Sequence, residues 1–81
     1  MKRLEQLNKK DVKELMNQIK KDDEKILDIQ LNVETIWILV KNECNVMYNY
    51  SIHTDGYVSK YLVNRFASES WHYCDVELGG E

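Results

Sequence analysis

The 81-residue length, the 43% hydrophobic fraction and the 31% charged fraction are those of one small folded domain, residues 1–81, rather than a disordered chain. The longest apolar run has five residues, which is too short for a membrane span, and residues 1–7 lack the apolar core of a signal peptide. We therefore expect a cytoplasmic protein with Cys44 and Cys74 reduced.

The net charge of −3 is unevenly distributed along the chain. Residues 1–21 carry seven basic and three acidic residues, whereas residues 22–81 carry four basic and eleven acidic ones. The sequence thus predicts a basic N-terminal element followed by an acidic remainder.

A helix is predicted over residues 9–21. Asn8 is a favourable N-cap, and Asp11 stands at the third helical position, where its carboxylate can reach back to the cap. Lys20 and Lys21 are expected in the last turn, where cations favour the helix dipole. The predicted buried stripe follows helical spacing and consists of Val12, Leu15, Met16 and Ile19.

Three strands are predicted next. Residues 27–33 alternate between apolar and polar side chains, as do residues 46–52. Residues 36–40 are apolar at every position, so we expect a central strand that is buried on both faces. Turns are predicted at residues 32–34 and 42–45.

Residues 57–66 are compatible with two structures. Asp55-Gly56 favours a hairpin, in which Tyr61 would pair with Tyr50 in the preceding strand. Spacing also fits a helix through residues 58–66, but the residues up to 63 favour a strand.

A last strand is predicted over residues 71–78. The fold class is α+β: an N-terminal helix packed on an antiparallel β-meander of four to five strands. The alternative order is helix, three strands, second helix and last strand.

Two histidine–carboxylate pairs, His53 with Asp55 and His72 with Asp75, are candidates for general-base chemistry in a small hydrolase or nuclease. No serine lies in a nucleophile motif, and no glycine-rich loop can hold a phosphate. Cys44, Cys74, His53 and His72 could in principle be four zinc ligands, but they lack the closely spaced ligand pairs of a structural zinc site. We therefore expect no enzyme, cofactor or metal.

A nucleic-acid-binding alternative depends on a lysine stripe along the helix, formed by Lys9, Lys13 and Lys20 with Lys10 and Lys21 beside them. The acidic overall charge opposes that alternative.

The sheet half of the chain is rich in aromatic residues, and one helix covers one face of a sheet. Either the C-terminal segment covers the second face, or an aromatic and acidic patch remains exposed. Such patches favour protein partners, here with basic character, so we predict a non-enzymatic protein-binding module. The predicted partner-binding residues are Tyr48, Tyr50, Asp55, Tyr57, Tyr61, Trp71, Tyr73, Asp75 and Glu77.

The segment 12–20, followed by the strands through Ile52, resembles small phage-encoded inhibitors of bacterial defence systems, including some anti-CRISPR proteins. The resemblance implies a single small domain that occludes a bacterial protein without catalysing a reaction. No functional residues carry over, because no diagnostic motif is shared. Self-association through an edge strand also stays open, since the chain contains no proline.

Overall fold

The computed structural model describes residues 7–63 and 70–77 and shows an α+β fold of one helix and five strands within them. The elements are α1 (Lys9–Ile19), β1 (Lys25–Leu31), β2 (Thr35–Lys41), β3 (Met47–His53), β4 (Tyr57–Leu62) and β5 (Ser70–Asp75). The strands form one antiparallel sheet in the order β1-β2-β3-β4-β5, a meander. The predicted fold class is confirmed, and the second-helix alternative is wrong over Tyr57–Leu62; residues 64–66 lie outside the described residues.

The helix begins at the predicted cap. The Asn8 side chain accepts a hydrogen bond from the Asp11 N–H at 2.8 Å, and the Asp11 carboxylate accepts one from the Asn8 N–H at 3.2 Å. The helix ends at Ile19, earlier than predicted, so its last turn holds no basic residue. Lys20 follows as the C-cap in an extended conformation. Among the described residues, no helix is long and apolar enough to cross a membrane.

The helix packs on one side of the sheet, which we call the helix face. Val12 and Met16 from the predicted stripe are fully buried there, each contributing about 1.5–3 kcal/mol of stabilisation. The strands contribute every second side chain to this core, because successive residues of a strand point to opposite faces. The buried strand residues are Ile36, Ile38, Val40, Tyr50, Ile52 and Val58.

The other side of the sheet, which we call the open face, carries no described helix or strand. Trp37, between two buried isoleucines of β2, is 44% exposed, and Leu39 is partly exposed. The expectation that residues 36–40 are buried on both faces is therefore wrong. β2 is also not central, because β3 occupies the middle of the sheet.

The observed strand pairing differs from the pairing predicted from the sequence in one register and at two bulges. Tyr50 pairs with Lys60, one residue before the predicted partner Tyr61. The register also shifts between Ile26 and Asp28 in β1, and where β5 faces Val58 and Ser59. An extra residue reverses which face the following side chains occupy, so alternation alone places them incorrectly.

A lysine lies in this core. Lys60 is 2% exposed, and its ammonium contacts the Glu24 carboxylate at 2.7 Å. The Glu24 carboxylate also accepts a 2.5 Å hydrogen bond from the Tyr50 hydroxyl and a 3.1 Å bond from the Lys21 N–H. Every buried charge of the pair is thus compensated, as the low local dielectric requires.

Three tyrosine rings surround the same ammonium. The Lys60 Nζ lies 4.5 Å from the ring centre of Tyr48, 4.9 Å from that of Tyr50 and 5.1 Å from that of Tyr73. These distances lie within the range of cation–π attraction. The Tyr73 hydroxyl in turn donates to the Ile19 carbonyl at the end of α1, at 2.5 Å. We call Glu24, Lys60 and the three tyrosines the lysine cage.

We predict that replacing either charge of the lysine cage strongly destabilises the protein. Lys60→Met and Glu24→Gln should each lower the free energy of unfolding by about 3 kcal/mol, because each leaves the remaining partner in the core without its counter-charge. The double variant should lose less than the sum of the two. Urea unfolding measures these differences, with exposed Lys13→Met as the matched control; additive losses would contradict direct coupling.

The lysine cage also predicts a pH dependence of stability. Burial alone would raise the pKa of Glu24, but the hydrogen bonds from Lys60, Tyr50 and the Lys21 N–H outweigh it and hold the pKa below its ordinary 4.5. Burial and the adjacent Glu24 raise the pKa of Tyr50 above its ordinary 10.0. Stability should therefore fall as the pH drops below 4.5, and fall again above pH 10.0, since the unfolded tyrosine ionises first.

Urea titrations between pH 3 and pH 11 test this dependence. The Glu24→Gln variant should lose part of the acid-side decrease, whereas Lys13→Met should keep it. An acid-side decrease that is unchanged in Glu24→Gln would contradict the assignment.

Candidate functional site

The open face presents aromatic side chains on a flat layer of small polar residues. Strand pairing aligns Trp37, Ser51, Ser59 and His72 in one row across β2 to β5. A second row aligns Leu39 with Asn49 and Tyr61. Ser51 and Asn49 are 7% and 8% exposed, so the larger rings project above them as the accessible contact area.

An aromatic corner lies where β4 meets β5. The Tyr57 and His72 rings stack with centroids 4.5 Å apart and planes at 24°. His72 Nε2 lies 3.0 Å from the Asp75 Oδ1, which fixes the imidazole against the tyrosine ring. The His53 ring lies edge-on to Tyr57, with the ring centroids 5.7 Å apart. The corner is exposed, with Tyr57 at 40%.

Carboxylates collect at the end of the sheet beside this corner. Glu34 precedes β2, Asp55 lies in the β3–β4 turn, Asp75 pairs with Tyr57 and Glu77 follows β5. We call these four exposed residues the acidic end. In the described part of the chain, none of them has a lysine or arginine within ion-pair distance.

The opposite end of the open face has mixed charge. Lys25 and Lys41 pair across β1 and β2, and Lys41 shares the open face with Leu39, two positions before it. Asp23 and Glu43 line the same groove as these two lysines. The open face is thus charged asymmetrically along its strands, acidic at one end and close to neutral at the other.

The predicted partner-binding residues divide between two sides of the sheet. Tyr57, Tyr61 and the acids Asp55, Asp75 and Glu77 lie on the open face or its acidic end. The helix face receives the others, namely Tyr48, Tyr50, Trp71 and Tyr73. The predicted residues therefore do not form one surface.

Tyr50 requires a correction, because it is fully buried and its hydroxyl donates to Glu24. A partner cannot reach it in the folded protein. Tyr48 and Tyr73 are partly buried around Lys60, so the lysine cage uses much of their ring surface. Trp71 stays exposed at 45% beside Tyr48.

Sequence reasoning missed Trp37 and His72 as members of the open face. Trp37 was assigned to a strand buried on both sides. The available signal was the parity of β2, since an odd-numbered face of Thr35, Trp37, Leu39 and Lys41 is too mixed for a second core. For His72 the sequence indicates only a catalytic or a zinc-binding candidate, not a member of an interface.

The geometry separates the two candidate histidine pairs. His72 contacts Asp75 as predicted, whereas Asp55 accepts a 3.0 Å hydrogen bond from the Tyr57 N–H instead of orienting His53. Across residues 7–63 and 70–77, no hydroxyl or thiol hydrogen-bonds to either histidine. The same residues contain no group of three or more metal-binding side chains.

The lysine stripe is shorter than predicted, because Lys20 lies beyond the helix. Lys13 and Lys20 border a groove of about 540 Å³ between α1 and β1, but Asp22 and Asp23 line the same groove. Its mixed charge is a poor match for a phosphate backbone.

Comparisons of this chain with protein-family models, curated proteins and solved structures found no match.

We predict that Gly56→Ala destabilises the aromatic corner. Gly56 has φ +90°, and an added Cβ would stand 2.1 Å from the Val76 carbonyl oxygen. The Gly56 carbonyl also accepts a 2.8 Å bond from the Val76 N–H, so the turn holds the end of β5. Thermal unfolding should show a loss of about 1–3 kcal/mol. Exposed Thr54→Ala in the same turn serves as the control, and equal losses in the two variants would contradict the steric explanation.

Proposed function

We propose that this protein is a non-enzymatic protein-binding module that contacts its partner through the open face. The observation that carries the proposal is Trp37, a large ring 44% exposed in the middle of β2, flanked in sequence by the fully buried Ile36 and Ile38. Tryptophan and tyrosine contribute most strongly at protein interfaces, because they bury much area with few rotatable bonds.

The scaffold of this surface supports the same function. Trp37, Tyr57 and Tyr61 project from paired strands whose opposite side is the packed core. Side chains on a rigid sheet lose little freedom when they bind, which lowers the entropic cost of association.

Occlusion is the mode of action that this geometry favours. A flat, rigid face can cover a functional surface of a partner without chemistry of its own. The bacterial defence proteins that the resemblance to phage inhibitors implies are the first candidates to test as partners.

The two tryptophans provide a matched experiment. Trp37 and Trp71 are 44% and 45% exposed but lie on opposite faces of the sheet. We expect Trp37→Ser to weaken binding of proteins captured from the native host by about 2 kcal/mol or more, as for a central interface residue, and Trp71→Ser to leave it nearly unchanged.

Circular dichroism and thermal unfolding of both variants control for loss of fold. Equal binding by Trp37→Ser and the unsubstituted protein, with both folded, would contradict an interface on the open face. Loss of binding in Trp71→Ser alone would place the interface on the helix face, where the structure puts the predicted residues Tyr48 and Trp71.

A further inference from the structure

We infer that the partner places a basic, arginine-bearing segment over the aromatic corner and the acidic end of the open face. This inference rests on the proposed function and names the chemistry of its partner. Three observations carry it: the charge of the face, the exposed ring stack, and carboxylates that have no lysine or arginine partner among the described residues.

The charge of the open face selects a basic partner. In the described residues, Asp28 and the acidic end contribute five carboxylates to the face and its rim, whereas Lys25 and Lys41 contribute two cations, beside which Asp23 and Glu43 lie. The acids are exposed, and across the described residues no lysine or arginine pairs with them. A basic segment therefore gains complementary contacts there without displacing a lysine or arginine from a described carboxylate.

The ring stack favours arginine over lysine. A guanidinium is planar, so it can lie against the exposed Tyr57–His72 stack while its edge donates to a carboxylate. Asp75 stands beside that stack, 3.0 Å from His72, and Asp55 precedes Tyr57 by two residues. Stacking surface and carboxylates thus occur together at one corner.

The same charges disfavour a second copy of this chain as the occupant. Two open faces brought together would combine ten carboxylates with four lysines, since each contributes five and two. Like charges across an interface oppose association. The bulge in the edge strand β1 also disfavours pairing of that edge with a second copy.

The test uses the full chain and two capped peptides. In one peptide three arginines alternate with valines, and in the other glutamates replace the arginines. Titration followed by NMR should move the Trp37 indole N–H and the Tyr57 and His72 resonances with the arginine peptide, and leave the Trp71 indole N–H in place. The glutamate peptide should move none of them.

Two charge-matched variants locate the contact. Glu34→Gln/Asp75→Asn/Glu77→Gln removes three charges from the acidic end and should weaken arginine-peptide binding about tenfold at low salt. Asp22→Asn/Asp23→Asn/Glu43→Gln removes three exposed charges elsewhere and should change binding by less than about twofold. Replacing arginine with lysine should weaken binding, since the stacked contact is lost.

Each remaining outcome overturns the inference. These outcomes are no binding of the arginine peptide, equal binding of the glutamate peptide, equal shifts at both tryptophans, or equal losses in the two triple variants. Concentration-dependent shifts of Trp37 without peptide would assign the face to a second copy. If the peptide fails while Trp37→Ser still abolishes capture of a host protein, the proposed function stands and only the basic chemistry is wrong.

Discussion

The contact between Lys60 and Glu24 organises this protein, because burying two ions is unfavourable unless each is fully compensated. Compensation here comes from several parts of the chain. The carboxylate belongs to the segment after α1, the ammonium to β4, and the tyrosines that complete the site to β3 and β5. All of them must be in place together, so the pair fixes how the helix sits on the sheet.

That arrangement also explains why much of the aromatic surface on the helix face is not available to a partner. The rings of Tyr48, Tyr50 and Tyr73 turn towards the ammonium and are largely used inside the protein. The helix face is therefore occupied by α1 and by this internal site. The open face keeps Trp37 and Tyr57 accessible, because a chain with a single described helix covers only one side of its sheet.

Sequence patterns predicted the elements better than the way in which they pair. Alternation identified the strands, and Asn8 with Asp11 identified the start of the helix, because both depend on local geometry. The register between β3 and β4 and the bulges depend on tertiary packing, which no local pattern encodes. One feature of the sequence indicates the burial of Lys60: it lies two residues after Val58 and therefore on the same, inward face of β4. A single lysine gives no indication, however, that its partner is Glu24, 36 positions away.

The division of the aromatic residues was unpredictable for the same reason. Composition shows that rings are abundant in the sheet half but not which side each occupies. Strict alternation already places Trp71 and Tyr73 on one face of β5. The bulge adds Cys74 to the helix face and moves Asp75 to the open face, which alternation alone does not predict. The prediction of a strand buried on both faces depended only on the five consecutive apolar residues 36–40. Among the described residues, no second helix or sheet covers the other face of that strand.

The bond from the Tyr73 hydroxyl to the Ile19 carbonyl has a consequence for folding during synthesis. It joins positions 54 apart, so the end of α1 gains this hydrogen bond only when β5 is in place. During synthesis, a nascent chain that still lacks β5 leaves the Ile19 carbonyl without the Tyr73 hydroxyl and the Lys60 ammonium without one of its three rings. Final folding therefore waits until β5 has emerged from the ribosome, and such distant closure is slower than local folding.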